Sequence, residues 1–118
     1  MPADLLSLAG EDFCYLTTAG RVTGRPHEIE IWFAIKDRTL YMLSGGRDRS
    51  DWVKNLRRTP EVTVRMAREH FEGQARVVED AEEDELARSL LVEKYERCPG
   101  GLANWRHTAL PIAVDLAV

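Results

Sequence analysis

Residues 17–55 read TTAGRVTGRPHEIEIWFAIKDRTLYMLSGGRDRSDWVKN, two glycine-rich, arginine-bearing turns joined by two segments of strand character. From His27 to Ile35 the chain alternates, with Ile29, Ile31, Phe33 and Ile35 on one face and Glu28, Glu30, Trp32 and Ala34 on the other. A period of two is the mark of a half-buried strand. Asp37-Arg38 then makes a tight turn and Thr39 to Leu43 returns antiparallel, which is a β-hairpin. The first turn, Gly20 to His27, precedes this hairpin; the second, Ser44 to Ser50, opens into a helix. Glycine lets backbone N–H groups approach a ligand, and a helix start adds unpaired donors at its positive dipole end. Two such turns facing one another would make an anion site.

Working outward, Ala3 to Ala9 suits a short helix and Phe13 to Thr18 a first strand that ends at Gly20. Ser50 or Asp48 can cap the helix after the second turn, with Trp52, Val53 and Leu56 inward and Lys54, Arg57 and Arg58 outward. Thr59-Pro60 stops it. Glu61 to Met66 and Phe71 to Val78 form another hairpin. Asp80 and Glu83 have capping-box spacing before the stripe of Leu86, Ala87, Leu90, Leu91 and Tyr95, and Ile112 to Val118 is the last strand. Six strands in antiparallel succession with two main helices and a short N-terminal one imply an α+β fold, and a small sheet closing on itself avoids exposed edges.

The 118 residues are one domain by length, 1–118, with 44% hydrophobic and 31% charged residues. A net charge of -4 argues against a nucleic-acid binder, but the charge is uneven. From Gly20 to His70 there are 11 Lys+Arg against 7 Asp+Glu, a local excess that suits a small anionic ligand. Cys14 and Cys98 are far apart and without a histidine cluster, so no metal site or disulfide framework is signalled. No apolar run is long enough to span a bilayer and no signal peptide precedes the first strand, so a cytoplasmic location is expected. No serine or cysteine has an evident His/Asp companion, which favours cofactor chemistry over hydrolysis.

The order Thr17-Thr18-x-Gly20-Arg21, Gly24-x-Pro26, a strand rich in aromatics, Ser44-Gly45-Gly46, Trp52-x-x-Asn55-Leu56 and Leu110-Pro111-Ile112 resembles the deazaflavin (F420)-dependent nitroreductase family. Those proteins are split β-barrels related to pyridoxamine 5'-phosphate oxidase-like flavoproteins, and the likeness runs from about Leu16 to Val114. It implies a six-stranded split barrel that binds F420 and passes hydride from its reduced form to an electron-poor small organic molecule, a quinone, enone or nitro compound. In such proteins the cofactor carries the chemistry and the protein supplies placement and charge. Carried over by position, Arg21, Thr23 and Gly24 line the phosphate-bearing tail, and His27 stands where an arginine is usual. Ser44, Gly45 and Gly46 border the ring, with Trp52 and Asn55 fixing that second turn and the helix after it. Trp32 replaces a tyrosine beside the ring, and in the hydride transfer so implied a proton comes from water or Tyr95.

Val22 stands where a lysine is common, so the missing charge falls to Arg25, Arg47 or Arg49. That change is compatible with a shorter tail, which keeps an FMN-dependent enzyme as an alternative. A non-catalytic flavin- or haem-binding barrel is another. Each residue also has a plainer reading. Arg21 and Arg25 can be solvated turn residues, Arg47 and Arg49 partners of nearby acids, His27 structural, and Trp32 a dimer contact. Exposed aromatics and the family's relatives make a homodimer plausible.

Overall fold

A computed structural model describes residues 8–95 and 109–117. The expected helix at Ala3 to Ala9 lies almost wholly outside these residues, as do Cys98, Trp105 and His107. Seven strands follow in order: β1 (Cys14–Ala19), β2 (Pro26–Ile31), β3 (Ala34–Lys36), β4 (Thr39–Ser44), β5 (Glu61–Met66), β6 (Glu69–Val77) and β7 (Leu110–Leu116). Helix α1 (Asp51–Arg58) lies between β4 and β5, after a 3-10 turn at Arg47–Arg49, and α2 (Ala81–Tyr95) follows β6.

The seventh strand arises because the His27–Ile35 run is broken. All strands join one antiparallel sheet in the order β2-β1-β5-β6-β7-β4-β3, so the two edge strands are consecutive in sequence. Only Trp32 and Phe33 separate them. Three Cα steps reach at most about 11 Å, so the sheet must curl until its edges nearly meet. The result is a barrel split along one seam. Alternation survives the break: Phe33 is fully buried and Ile29, Ile31 and Ile35 pack half-buried against the same core.

The barrel interior is filled by Leu16, Leu40, Met42, Val64, Ile112 and Val114 among others. Strand β4 is buried on both faces, because Tyr41 and Leu43 turn outward under Ala87, Leu91 and Tyr95 of α2. Helix α1 closes part of the barrel with Val53 and Leu56. In the β3–β4 turn Asp37 takes φ 58°, a left-handed conformation that aspartate tolerates better than most residues.

Helix α2 is tied down by charge as well as by apolar packing. Asp80 accepts the backbone N–H of Glu83 at 2.9 Å, one half of the expected capping box. The Glu83 carboxylate is instead turned to the sheet. It accepts two bonds from Arg76 of β6, at 2.6 and 2.7 Å, and one from Tyr41 at 2.8 Å. Arg76 also donates to Asp115 of β7 at 2.8 Å. The guanidinium holds Glu83 and Asp115 below the usual carboxylate range, and burial with the Glu83 bond pushes the Tyr41 hydroxyl up to about 12. Lowered carboxylate values mean that this stabilisation is fully present above the ordinary carboxylate pKa and fades as pH falls through the folded values. Arg76→Met should therefore lose about 1–2 kcal/mol at neutral pH. In urea melts at pH 7 and pH 3 the gap between variant and wild type should shrink at the lower pH; a constant gap contradicts the assignment.

Candidate functional site

The first turn connects β1 to β2 and is closed by its own backbone. Gly20 N–H donates to Arg25 O at 2.8 Å and Gly24 N–H to Gly20 O at 2.8 Å. Gly24 takes φ +75°, which favours glycine. Thr23 Oγ1 accepts the Arg25 N–H at 3.3 Å. The turn is then pinned from outside by Asn55 of α1, only 4% exposed. Its Oδ1 accepts Arg21 N–H at 3.2 Å and Arg21 Nη1 at 2.9 Å, while Nδ2 donates to buried Thr18 at 3.2 Å. A buried amide engaged on both its oxygen and its nitrogen fixes where Arg21 stands. Arg21 Nη2 completes the set on the Asp51 carboxylate at 3.1 Å.

Turn and helix thus enclose a groove of about 480 Å³ lined by Arg21, Thr23, His27 and Trp52. Glu28, Ile29 and Asp51 also line it and were not among the residues expected from the sequence. Asp51 had a signal, lying one helical turn before Asn55 on the same side of α1. Asn55 also holds the first turn, a role that the sequence did not signal. Gly24 also borders a separate hollow of about 450 Å³ with Pro26, Thr17 and Thr63. Arg25 is exposed and lines neither.

The second turn is built around Ser44, which is 1% exposed. Its hydroxyl donates to Arg47 O at 2.9 Å and shares a bond with Ser50 Oγ at 2.9 Å. Ser50 sits at the N-cap position of α1, but its hydroxyl is used on Ser44, so no side chain caps the helix. A Cβ on Gly46 would press on Ser50 Oγ, so a side chain there would have to turn that hydroxyl away from Ser44. Gly45, Gly46, Arg47 and Arg49 are exposed. None of residues 44–50 lines the first-turn groove; α1 links the two turns, beginning at the second and holding the first through Asp51 and Asn55.

Trp32 and Tyr95 come together at the barrel seam. Their rings stack with centroids 4.4 Å apart and planes 6° from parallel. The break at Phe33 removes that residue from the strand ladder, and α2 supplies replacements. Phe33 N–H donates to Tyr95 Oη at 3.1 Å, Lys94 Nζ donates to Phe33 O at 2.9 Å, and the Tyr95 hydroxyl donates to Asp12 O at 2.7 Å. The Lys94 ammonium also lies 3.7 Å from the centre of the Phe33 ring. Burial pushes Lys94 down to about 8, against the nearby Cys14, Asp12 and Glu11, so its contribution to stability rises with pH above that value until the unfolded lysine titrates. Burial likewise pushes the Cys14 thiol up to about 12, leaving it unreactive.

Residues 5–117 match the model of the F420H(2)-dependent quinone reductase family. The chain belongs to that family. It is an oxidoreductase whose cofactor is F420. No curated protein matches it. Solved structures give the fold. A conserved hypothetical protein from Mycobacterium tuberculosis aligns with TM-score 0.79 and 19% identity over 100% of this chain and 82% of the other. An F420 reductase aligns at 0.70 and 18% over 100% and 97%, and an F420-H2 dependent reductase at 0.69 and 21% over 87% and 93%. The first turn fits the anionic part of such a cofactor. Arg21 is preset by Asn55, and one of its donors rests on an exposed carboxylate, 84% accessible, that an anionic oxygen can replace.

Among the described residues no group of His, Cys, Asp or Glu side chains converges as a metal site, and no helix is long and apolar enough to cross a membrane.

Proposed function

We propose that this member of the quinone reductase family binds F420 with its phosphate at the first turn and its ring towards the second. It reduces an electron-poor small organic acceptor such as a quinone, enone or nitro compound. When bound, the reduced deazaflavin supplies the hydride. The chain's own residues bind and orient. Arg21, Thr23 and His27 hold the tail. Gly24, Arg25 and Pro26 shape the turn's far side, with Arg47 and Arg49 adding positive field. Backbone N–H groups at Ser44, Gly45 and Gly46 face the ring's polar edge, with Trp52 beside them. Trp32 presents the indole face not stacked on Tyr95 to the acceptor. One observation carries this reading: an arginine fixed by a buried amide, with its outer N–H on a replaceable carboxylate, in a glycine-built turn. A homodimer is part of the proposal, since one structural neighbour is a domain-swapped dimer.

The test is a fluorescence titration of the purified chain with F420 and FMN, followed by oxidation of F420H2 with quinones, enones and nitroaromatics. Binding of F420 with turnover of at least one acceptor class is expected. Tighter binding of FMN, or F420 bound with no acceptor reduced, sinks the proposal.

A further inference from the structure

Among the described residues, the basic side chains lining the first-turn groove are Arg21 and His27, and two carboxylates, Asp51 and Glu28, line it with them. Val22, the uncharged residue at the turn, is 89% exposed and adds no charge. Lys54, Arg57 and Arg58 of α1 and Arg25, Arg47 and Arg49 are absent from the groove's lining. Glu28 is partly engaged, 3.9 Å from Arg65, whereas Asp51 has its carboxylate 3.1 Å from the very guanidinium a phosphate would use. A site meant for a doubly charged phosphate would gather cations; this one sets one fixed cation against two acids.

We infer that Asp51, with Glu28 lining the same groove, is a specificity-determining residue that makes the groove favour a singly charged phosphodiester and reject a doubly charged phosphomonoester. The inference rests on the first turn being the phosphate site. A phosphate bonded to Arg21 must displace or stand beside the Asp51 carboxylate, and the repulsion grows with its charge. The F420 phosphate is a diester with one negative charge, while the FMN phosphate is a monoester carrying about -1.5 to -2 at neutral pH. In a wet groove each additional unit of charge a few ångströms from a carboxylate changes affinity by roughly three- to tenfold.

The experiment titrates wild type, Asp51→Asn and Glu28→Gln with F420, FMN and riboflavin at low salt. Asparagine keeps an oxygen for Arg21 Nη2 and removes only the charge. Expected for Asp51→Asn are a gain of roughly threefold for F420, roughly tenfold for FMN and none for riboflavin, which has no phosphate. Glu28→Gln should shift the same ratio in the same direction by less. Equal gains for F420 and FMN, a gain for riboflavin, a loss for FMN, or FMN undetected with all three proteins overturns the inference. Wild type that binds FMN and riboflavin but not F420 removes the cofactor reading itself, and this inference with it; F420 bound by wild type with an unchanged FMN-to-F420 ratio in the variants removes the inference alone.

Discussion

Tyr95→Phe should lower stability by about 2–3 kcal/mol, a fall in melting temperature of roughly 6 to 15 °C for a domain of this size. The substitution removes one oxygen and leaves the ring, so the stack on Trp32 at 4.4 Å and the packing in the cluster under α2 remain. What goes is the acceptor for the Phe33 N–H, a buried bond of 3.1 Å, and the donor to Asp12 O at 2.7 Å. A buried N–H left unpaired carries its full desolvation penalty, and a phenylalanine ring offers no oxygen to relieve it. The seam is where the loss is felt, because Trp32 and Phe33 are the step by which the chain crosses from one sheet edge to the other. Differential scanning calorimetry and F420H2 turnover separate two roles. A lower melting temperature with turnover per folded molecule nearly unchanged identifies a positioning residue. An unchanged melting temperature with turnover sharply reduced returns Tyr95 to proton donation.

The seam also shows how sequence and structure part company. Alternation along His27–Ile35 assigns the faces of the strand correctly, since inward and outward positions depend only on pleat. Pairing partners do not depend on pleat, so nothing in that run announces that its two halves bond to different neighbours. The compensation lies 61 and 62 residues away, in Lys94 and Tyr95 donating to or accepting from Phe33. Tyr95 can be read as apolar stripe or as functional hydroxyl, and a single sequence carries no mark of a carbonyl freed by a strand break.

The turns are legible for a different reason: glycine and helix-start signals are local. Gly24 at φ +75° and Gly46 against Ser50 are consequences of chain geometry within a few residues. Their mutual placement is not local. Asn55 is readable as a helix residue near the second turn, but its bonds to Arg21 and Thr18 cross 34 and 37 residues. Ser50 illustrates the same limit on a smaller scale. Its position at the start of α1 is foreseeable, yet its hydroxyl bonds to Ser44 and not to the helix backbone.

Arg21→Ala should weaken F420 binding by about 1.5–3 kcal/mol, roughly 10- to 150-fold in Kd, while leaving the melting temperature within a few degrees. The two halves of that expectation come from different atoms. The turn is held by the Arg21 backbone N–H on Asn55 at 3.2 Å, and alanine keeps it. The side chain's own contribution to folding is small, because its ion pair is with an Asp51 carboxylate that is 84% exposed and surface pairs are worth little. Its contribution to binding an anion is larger, because Asn55 already orients the guanidinium and little further freedom is lost when a ligand arrives. Arg21→Lys separates charge from geometry. An ammonium restores the positive charge but cannot bond Asn55 and a phosphate oxygen in one planar fork, so its Kd should fall between alanine and wild type. Lysine binding as tightly as arginine would mean that field alone matters at this position, and an unchanged Kd for alanine would move the phosphate away from the first turn altogether.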